Sequence, residues 1–273
     1  MTPADKGAAK ATRPVNAPRI STTEVDAVRR IVDAQRNSPF LQRRRRRNVQ
    51  NPPQHLTNEE FWKQMVVCMC TSVQPSGPNS RVSNFVREKP FPLNLAVCES
   101  ENHLRSYAER TLRSRGFRFG LKIAKQVEAN LAWLRNGGWD TTQSQFRAVI
   151  HLPVGSPPSV RIAAERTASR TIMGSNGGLA GLGPKQARNL WQCLGVTQFE
   201  IPLDSRICAW INALPSSFRV SPNRLYNSLP YYEATMTHIQ AICEKAEILP
   251  CEFDAAVFAS ADSEEWPEDD DVF

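Results

Sequence analysis

The 273-residue sequence predicts an all-α protein. Apolar side chains recur at helical spacing in most segments, and few segments alternate with the period of two that is typical of strands. No succession of βαβ units is visible, which disfavours a parallel sheet. With 41% hydrophobic residues, the chain can bury one sizeable core or two small ones. We therefore expect helices throughout, with at most an incidental short strand.

Charge is distributed unevenly. The chain has a net charge of +7, but residues 1–50 carry 12 basic and 4 acidic side chains, whereas residues 251–273 carry 9 acidic and no basic ones. The strongly basic body indicates a polyanionic partner such as nucleic acid. No apolar run approaches the roughly 18–20 residues of a membrane span, and no signal peptide is visible. The odd number of cysteines, seven, and the lack of a visible signal peptide together predict an intracellular protein with reduced thiols, cytoplasmic and nucleoid-associated if bacterial.

Three regions are predicted along the chain. Residues 1–54 form a basic, largely flexible arm with one short helix near residues 21–35. Residues 55–258 form the folded domain, and residues 259–273 form an acidic tail. Two interpretations of the five consecutive arginines at 43–47 remain open: a solvated linker and an arm that contacts phosphates.

The folded domain begins with a helix near Thr57, which forms a capping-box pattern with Glu60 ahead of an apolar stripe. Proline and glycine between residues 72 and 80 enforce a loop after it. A second helix covers residues 121–134 and stops at the glycine pair 137–138. The remaining predicted helices cover residues 160–173, 184–194, 205–214 and 232–247.

The most informative segment is the turn between two of these helices, with the sequence LAGLGPK at residues 179–185. Gly181 and Gly183 bracket Leu182, so the turn can adopt positive φ and present bare backbone N–H groups to an anion such as a DNA phosphate. Pro184 is typical of the first turn of the helix that follows. The predicted motif is helix, tight hairpin, helix.

Lys185 follows the hairpin, in a first helical turn where the helix dipole disfavours a charged ammonium. A neutral amine is what nucleophilic lysine chemistry requires. Nineteen positions later, Asp204 precedes an apolar-periodic helix. It is a candidate helix cap, and a cap that fixes the direction of a carboxylate is compatible with a catalytic role.

These residues resemble the signature of the HhH-GPD superfamily of DNA base-excision glycosylases, that is, the helix-hairpin-helix, the Gly/Pro-rich loop and the aspartate. Lysine at the hairpin exit is similar to the bifunctional members, which remove a base and cut at the abasic site. The resemblance is nearest to the 8-oxoguanine DNA glycosylase/lyases. It implies two helical subdomains flanking a DNA-binding cleft, with Lys185 as the Schiff-base nucleophile and Asp204 assisting it.

The resemblance also implies further DNA-binding residues. Phe117 and Arg118 lie in a segment that resembles the one whose aromatic wedges the duplex and whose arginine reads the orphaned cytosine. Gln74 resembles the polar residue that fills the gap left by the flipped base. The hairpin residues Gly181, Leu182 and Gly183, together with Arg206, complete the expected DNA-binding set.

The expected partner is double-stranded DNA with a damaged or modified base, bound by a monomer. The resemblance implies no required cofactor, but a monovalent cation (K⁺ or Na⁺) on the carbonyls of Leu179 and Leu182. No iron–sulfur cluster is expected, because the closely spaced C-terminal cysteines of cluster-bearing members are missing. Two alternatives to 8-oxoguanine excision stay open: a glycosylase for another modified base, including one in foreign or phage DNA, and a non-enzymatic helix-hairpin-helix DNA-binding protein.

Overall fold

The computed structural model of the protein describes residues 19–71, 74, 76–216 and 218–261. Within these ranges there are fourteen α-helices, which are in chain order α1 (Thr22–Ala34), α2 (Pro39–Arg45), α3 (Asn58–Cys70), α4 (Arg81–Arg87), α5 (Leu95–Ser100), α6 (Leu104–Ser114), α7 (Gly120–Trp133), α8 (Trp139–Ile150), α9 (Pro158–Thr171), α10 (Pro184–Cys193), α11 (Ser205–Ala213), α12 (Pro222–Asn227), α13 (Leu229–Ala246) and α14 (Pro250–Ala261). Short π-helical segments, Arg46–Gln50 and Leu134–Gly138, extend α2 and α7. The described residues contain no strand, only one isolated β-bridge, between Met173 and Leu179. The all-α prediction is confirmed.

The helix starts follow from their caps. The Ser21 hydroxyl accepts a hydrogen bond from the Glu24 backbone N–H, and the Glu24 carboxylate accepts one from the Ser21 N–H, so α1 begins with a complete capping box. Thr57 and Glu60 form the same reciprocal pair at the start of α3, as their spacing predicts. Both boxes use donors that the first turn of a helix leaves unpaired.

The helices pack in two groups. The middle of the chain forms one group, in which α3 packs against α4, α5, α7 and α10, and α9 packs against α8 and α10. The two ends of the chain form the other, in which α14 packs against α1, α2, α11 and α13. These groups correspond to the two expected helical subdomains, and their buried apolar side chains merge into a common core.

Residues 19–54 differ from the predicted flexible arm. They contain α1, α2 and the π-helical segment, and the second helix buries Phe40 and Leu41 against the domain. Among the five arginines, Arg43 and Arg44 are buried and Arg45 pairs with Glu252. The run is therefore not a solvated linker, because two of its guanidinium groups donate hydrogen bonds to a carbonyl and a carboxylate elsewhere in the chain.

The C-terminal boundary also differs, because α14 continues to Ala261 and the predicted tail starts inside it. The rest of that tail, residues 262–273, lies outside the described residues, as do residues 1–18. No helix in the described part of the chain combines the length and the apolar composition that crossing a bilayer requires.

Candidate active site

The hairpin between α9 and α10 places two glycines at the protein surface. Gly181 adopts φ +84°, the left-handed conformation that glycine favours, and a Cβ there would collide with the Gln126 side chain. Gly183 has an extended backbone, φ −87°, and a Cβ there would meet nothing within 4 Å. Neither glycine N–H donates to another described group. The turn thus presents unpaired amides at the N-terminus of α10, where an anion is favoured.

A buried asparagine holds this hairpin in place. Asn130, which is fully buried in α7, accepts a hydrogen bond from the Ala180 N–H at 2.6 Å through Oδ1 and donates one to the Ala180 carbonyl at 3.1 Å through Nδ2. A polar residue among the otherwise apolar buried positions of α7 is the sequence signal for this contact.

The carbonyls predicted to hold a cation each accept a backbone hydrogen bond. The Leu179 oxygen accepts from the Leu182 N–H at 3.2 Å, and the Leu182 oxygen accepts from the Gly174 N–H at 3.0 Å. No three His, Cys, Asp or Glu side chains gather as a metal site would require, within the residues described. The cation on the hairpin stays a prediction.

Lys185 and Asp204 line the same pocket, which we call the Lys185 pocket. It lies between the two helix groups, and its walls come from α2, α10, α11, α14 and the end of α3. The lining residues are Phe40, Arg44, Thr71, Ser76, Lys185, Asn189, Gln192, Pro202, Asp204, Arg206, Asp254 and Phe258. Its cavity of about 40 Å³ has room for water but not for a nucleobase.

Asp204 is the N-cap of α11, as its position predicts. Its Oδ1 accepts hydrogen bonds from the backbone N–H groups of Arg206 at 2.9 Å and Ile207 at 3.1 Å. Its Oδ2 lies 3.5 Å from the Arg206 guanidinium. Capping thus fixes one carboxylate oxygen and leaves the other for the pocket.

The segment that leads into Asp204 is held by two buried side chains. The Glu165 carboxylate accepts three backbone N–H groups, from Gln198, Phe199 and Glu200, at 2.8 to 2.9 Å. The Tyr232 hydroxyl accepts from the Leu203 N–H at 2.7 Å and donates to the Ile201 carbonyl at 3.2 Å. No local sequence pattern predicts these contacts, since the partners lie 29 to 35 residues apart.

A buried arginine joins this segment to the turn that carries Lys185. The Arg188 guanidinium donates to the Glu200 carboxylate at 2.7 Å and to the Pro184 carbonyl at 3.0 Å. It also lies 4.6 Å from the centre of the Tyr232 ring. The lysine turn and the aspartate segment are therefore parts of one buried network.

The floor of the Lys185 pocket contains polar groups without partners. The Gln192 side chain is fully buried, and neither its amide nitrogen nor its amide oxygen has a hydrogen-bond partner among the described residues. The carboxyl of Asp254, a residue that is 6% exposed, likewise forms no hydrogen bond to a described group. Burial raises the pKa of the Asp254 carboxyl to about 7, although the nearby Arg44 guanidinium lowers it. Buried groups of this kind need partners that a ligand can supply.

The structure brings together two of the three residues predicted to fill or read the opened duplex. The backbone N–H of Arg118 donates to Gln74 Oε1 at 3.3 Å, although the residues belong to different loops. Phe117 differs, because it is 4% exposed and packs edge-on against Phe85 at 5.2 Å. The predicted wedge is thus a core residue, and the half-buried aromatic of this loop is Phe119, with the Arg118 guanidinium 5.4 Å from its ring centre.

These features define a helix-hairpin-helix protein with a lysine–aspartate pocket between two helical subdomains. No family model matches the chain, and no curated protein matches its sequence. Its structure is similar to that of the 8-oxoguanine DNA glycosylase of Methanocaldococcus jannaschii, with a TM-score of 0.53 and 14% identity over 90% of this chain and 98% of that one. It is also similar to the 8-oxoguanine DNA glycosylase of Thermotoga maritima, with a TM-score of 0.52 and 12% identity over 89% and 98% of the two chains. The chain therefore has the fold of 8-oxoguanine DNA glycosylases.

Proposed function

We propose that this protein is a DNA glycosylase with AP lyase activity, which flips a damaged or modified base out of duplex DNA and excises it. The observation that carries the proposal is that Lys185 and Asp204 line one pocket beside a hairpin with unpaired amides. The fold shared with two 8-oxoguanine DNA glycosylases supports it and favours 8-oxoguanine as the excised base.

Binding has to supply the energy of base flipping, which costs a few kcal/mol of unstacking. The amides of Gly181 and Gly183 would hold a phosphate beside the lesion. Basic side chains between residues 105 and 125 would follow the backbone. Gln74 and Arg118, already in contact, would occupy the gap that the flipped nucleotide leaves.

In the chemical step, the uncharged Lys185 amine attacks C1′ of the sugar, and the bond from C1′ to the base breaks. The base leaves with that electron pair and takes up a proton, while the lysine nitrogen loses one. Asp204 stabilises the positive charge that develops on the sugar. The structural support is that Lys185 forms no ion pair with a described carboxylate.

The sugar ring then opens. The C1′–O4′ bond breaks, O4′ takes up a proton, and a Schiff base joins C1′ to Lys185. Loss of a C2′ proton and cleavage of the C3′–O bond release the strand on the 3′ side. Water hydrolyses the Schiff base and restores the lysine.

The experiment that tests this is borohydride trapping on duplexes that carry a panel of modified bases. Borohydride reduces the Schiff base to a stable amine, so the wild-type protein should form a covalent adduct with at least one duplex. Lys185→Gln should form none and still bind the same duplex with similar affinity. Matching adduct yields for Lys185→Gln and wild type would contradict the role of Lys185. Binding without any adduct, for every duplex, would favour the non-enzymatic DNA-binding protein.

A further inference from the structure

A second, larger pocket lies beside the middle of α3 and the C-terminal end of α10. We call it the distal pocket; its cavity measures about 750 Å³. Its lining includes Lys63 and Gln64 in the middle of α3, and Leu194 at the end of α10. Lys185 lies nine residues before Leu194, which is about 13 Å along a helix axis. No described residue lines both pockets, so the distal pocket is separate from the Lys185 pocket.

The wall of this pocket is formed by the arginine run that the proposed function leaves unexplained. Arg43, Arg46 and Arg47 line it together with Lys63 and His55. The acidic lining residue is Glu60, whose carboxylate accepts the Thr57 N–H and hydroxyl in the capping box. Neither Arg46 nor Lys63 forms an ion pair with a described carboxylate. The lining thus has an excess of positive charge in a concave site.

The wall is also a rigid one. Gly195 adopts φ +79°, and a Cβ there would lie 2.8 Å from Arg47 Cγ and 3.0 Å from Pro53 Cδ. The chain that ends α10 thus packs directly on the arginine segment. Asn48, one residue after Arg47, donates from its side chain to the carbonyls of Gln192 and Thr197 at 3.0 and 2.8 Å. The backbone that carries Arg46 and Arg47 is consequently anchored to the end of α10.

The buried end of the pocket offers a hydrogen-bond acceptor. Gln64 is 5% exposed and lines the cavity, and its Oε1 is buried without a hydrogen-bond partner among the described residues. Such an acceptor requires a hydrogen-bond donor, and the N–H of a ligand can supply one. Leu56, Pro53 and Leu194 add apolar surface beside it. The pocket thus combines cations for an anion, an acceptor for an N–H group and apolar walls for a flat ring.

We propose that the distal pocket binds a phosphorylated nucleoside. Guanidinium groups suit phosphate oxygens because they donate in a planar fork. The exocyclic amine of a base would donate to Gln64 Oε1, and the ring would lie against the apolar wall. The volume falls within the range of small-molecule sites. The ligand is either a free nucleotide or the terminal nucleotide of a nucleic-acid strand, which share this chemistry.

The test is calorimetric titration of the full chain with ATP, inorganic triphosphate and a 5′-phosphorylated single-stranded oligonucleotide, at near-physiological salt. ATP or the oligonucleotide should bind one to one, and more tightly than triphosphate. If ATP binds more tightly than the oligonucleotide, the ligand is a free nucleotide. If the oligonucleotide binds more tightly, the ligand is the terminal nucleotide of a strand. Absence of saturable binding by both, or triphosphate binding as tightly as the better of them, would overturn the proposal.

Variants locate the site. The double variant Arg46→Glu with Lys63→Glu should weaken binding by about tenfold or more, the effect of losing at least one charge-assisted hydrogen bond. The charge-matched control Arg30→Glu with Arg147→Glu, both at exposed positions elsewhere, should change affinity by less than about twofold. Gln64→Leu should weaken nucleotide binding but not triphosphate binding, with thermal unfolding as the check on folding.

The inference does not depend on the proposed function. Lys185→Gln should bind the nucleotide as wild type does, whether or not it retains glycosylase chemistry. Loss of nucleotide binding in Lys185→Gln would place the ligand in the Lys185 pocket and overturn the distal assignment. Equal losses in the Arg46/Lys63 variant and its control would show that net charge alone is responsible.

Discussion

Removing one oxygen atom from Tyr232 should damage both the stability of the protein and the chemistry at Asp204. The Tyr232 hydroxyl bridges the Leu203 N–H and the Ile201 carbonyl, in the segment that ends at Asp204. Tyr232 is 1% exposed and its two backbone partners are buried. In Tyr232→Phe both groups lose their partner, and the gap that is left is too small for a water molecule.

The structure sets the size of the effect. An unsatisfied buried donor or acceptor costs about 1–3 kcal/mol, so we expect Tyr232→Phe to lose about 2–4 kcal/mol of unfolding free energy. For a chain of this size that is a fall in Tm of about 5–12 °C. Relaxation of Leu203 also moves the adjacent Asp204. A displacement of about 1 Å at a reacting group costs on the order of a hundredfold, so single-turnover excision should fall by about 10- to 100-fold.

Tyr231 provides a matched control. Its hydroxyl has the same kind of partners, accepting from the Ser221 N–H at 3.0 Å and donating to the Arg219 carbonyl at 3.3 Å, but it is only half-buried and its partners lie outside the segment that ends at Asp204. Water can replace the lost oxygen there, so Tyr231→Phe should cost about 1 kcal/mol or less and leave excision within about threefold of wild type. Thermal unfolding and single-turnover excision on a substrate duplex measure both effects. Wild-type Tm and rate in Tyr232→Phe, or equal losses in the two variants, would refute the reasoning.

Two further predictions concern the hairpin and the buried carboxyls. Gly181→Ala should lower Tm, because residue 181 has a positive φ and the added methyl group collides with Gln126. Gly183→Ala should leave Tm unchanged but weaken DNA binding, measured by fluorescence anisotropy, because its methyl group stands where a phosphate would approach. Identical effects of the two variants on Tm and on DNA binding would contradict these separate roles. Burial raises the pKa of Asp254 and of Glu165 to about 7. Between about pH 4 and pH 7 the folded protein therefore binds more protons than the unfolded chain. The free energy of unfolding should consequently fall as pH rises through that window, by up to about 1.4 kcal/mol per pH unit for each group. Urea denaturation between pH 5 and pH 8 should show this slope, and Asp254→Asn should reduce it; a stability that rises with pH would be incompatible with these assignments.

The sequence predicted those parts of the molecule whose determinants are local. The capping box at Thr57, the proline at the start of α10 and the left-handed Gly181 each depend on residues within one turn or one loop. The pairing of Lys185 with Asp204 in one pocket could be predicted only through resemblance to a family, because no local pattern joins residues 19 positions apart.

The parts that were missed depend on distant partners. The five arginines repel one another when taken alone, yet Arg44 reaches the Gln192 carbonyl 148 positions away and Arg45 reaches Glu252 207 positions away. The local sequence is compatible with either a buried or an exposed Phe117. In the structure Phe117 lies in the core because its ring packs against the Phe85 ring. Tertiary contacts of this kind leave no periodic signal in the sequence.

The small volume of the Lys185 pocket implies that its wall has to move before a base can enter. One wall is a stack in which the Arg206 guanidinium lies 3.9 Å from the centre of the Phe258 ring, and that ring stacks on Phe40 at 4.5 Å. Both aromatic side chains line the pocket, as does Arg206. Because all three side chains line the pocket, we expect opening of this stack to widen the cavity from about 40 Å³ toward the several hundred Å³ typical of ligand sites.

Shortening Phe258 should consequently change which bases are excised. Phe258→Leu enlarges the pocket and removes a stacking surface, so on the proposed function the excision rate for small bases should fall while the rate for bulkier modified bases should fall less or rise. Phe253→Leu is the control, because Phe253 is buried on the same helix but packs on Trp210 at 4.9 Å and does not line the pocket. It should lower Tm and leave the ranking of substrates intact. A uniform decrease across the panel in Phe258→Leu, with the ranking unchanged, would mean that Phe258 stabilises the fold without limiting access to Lys185.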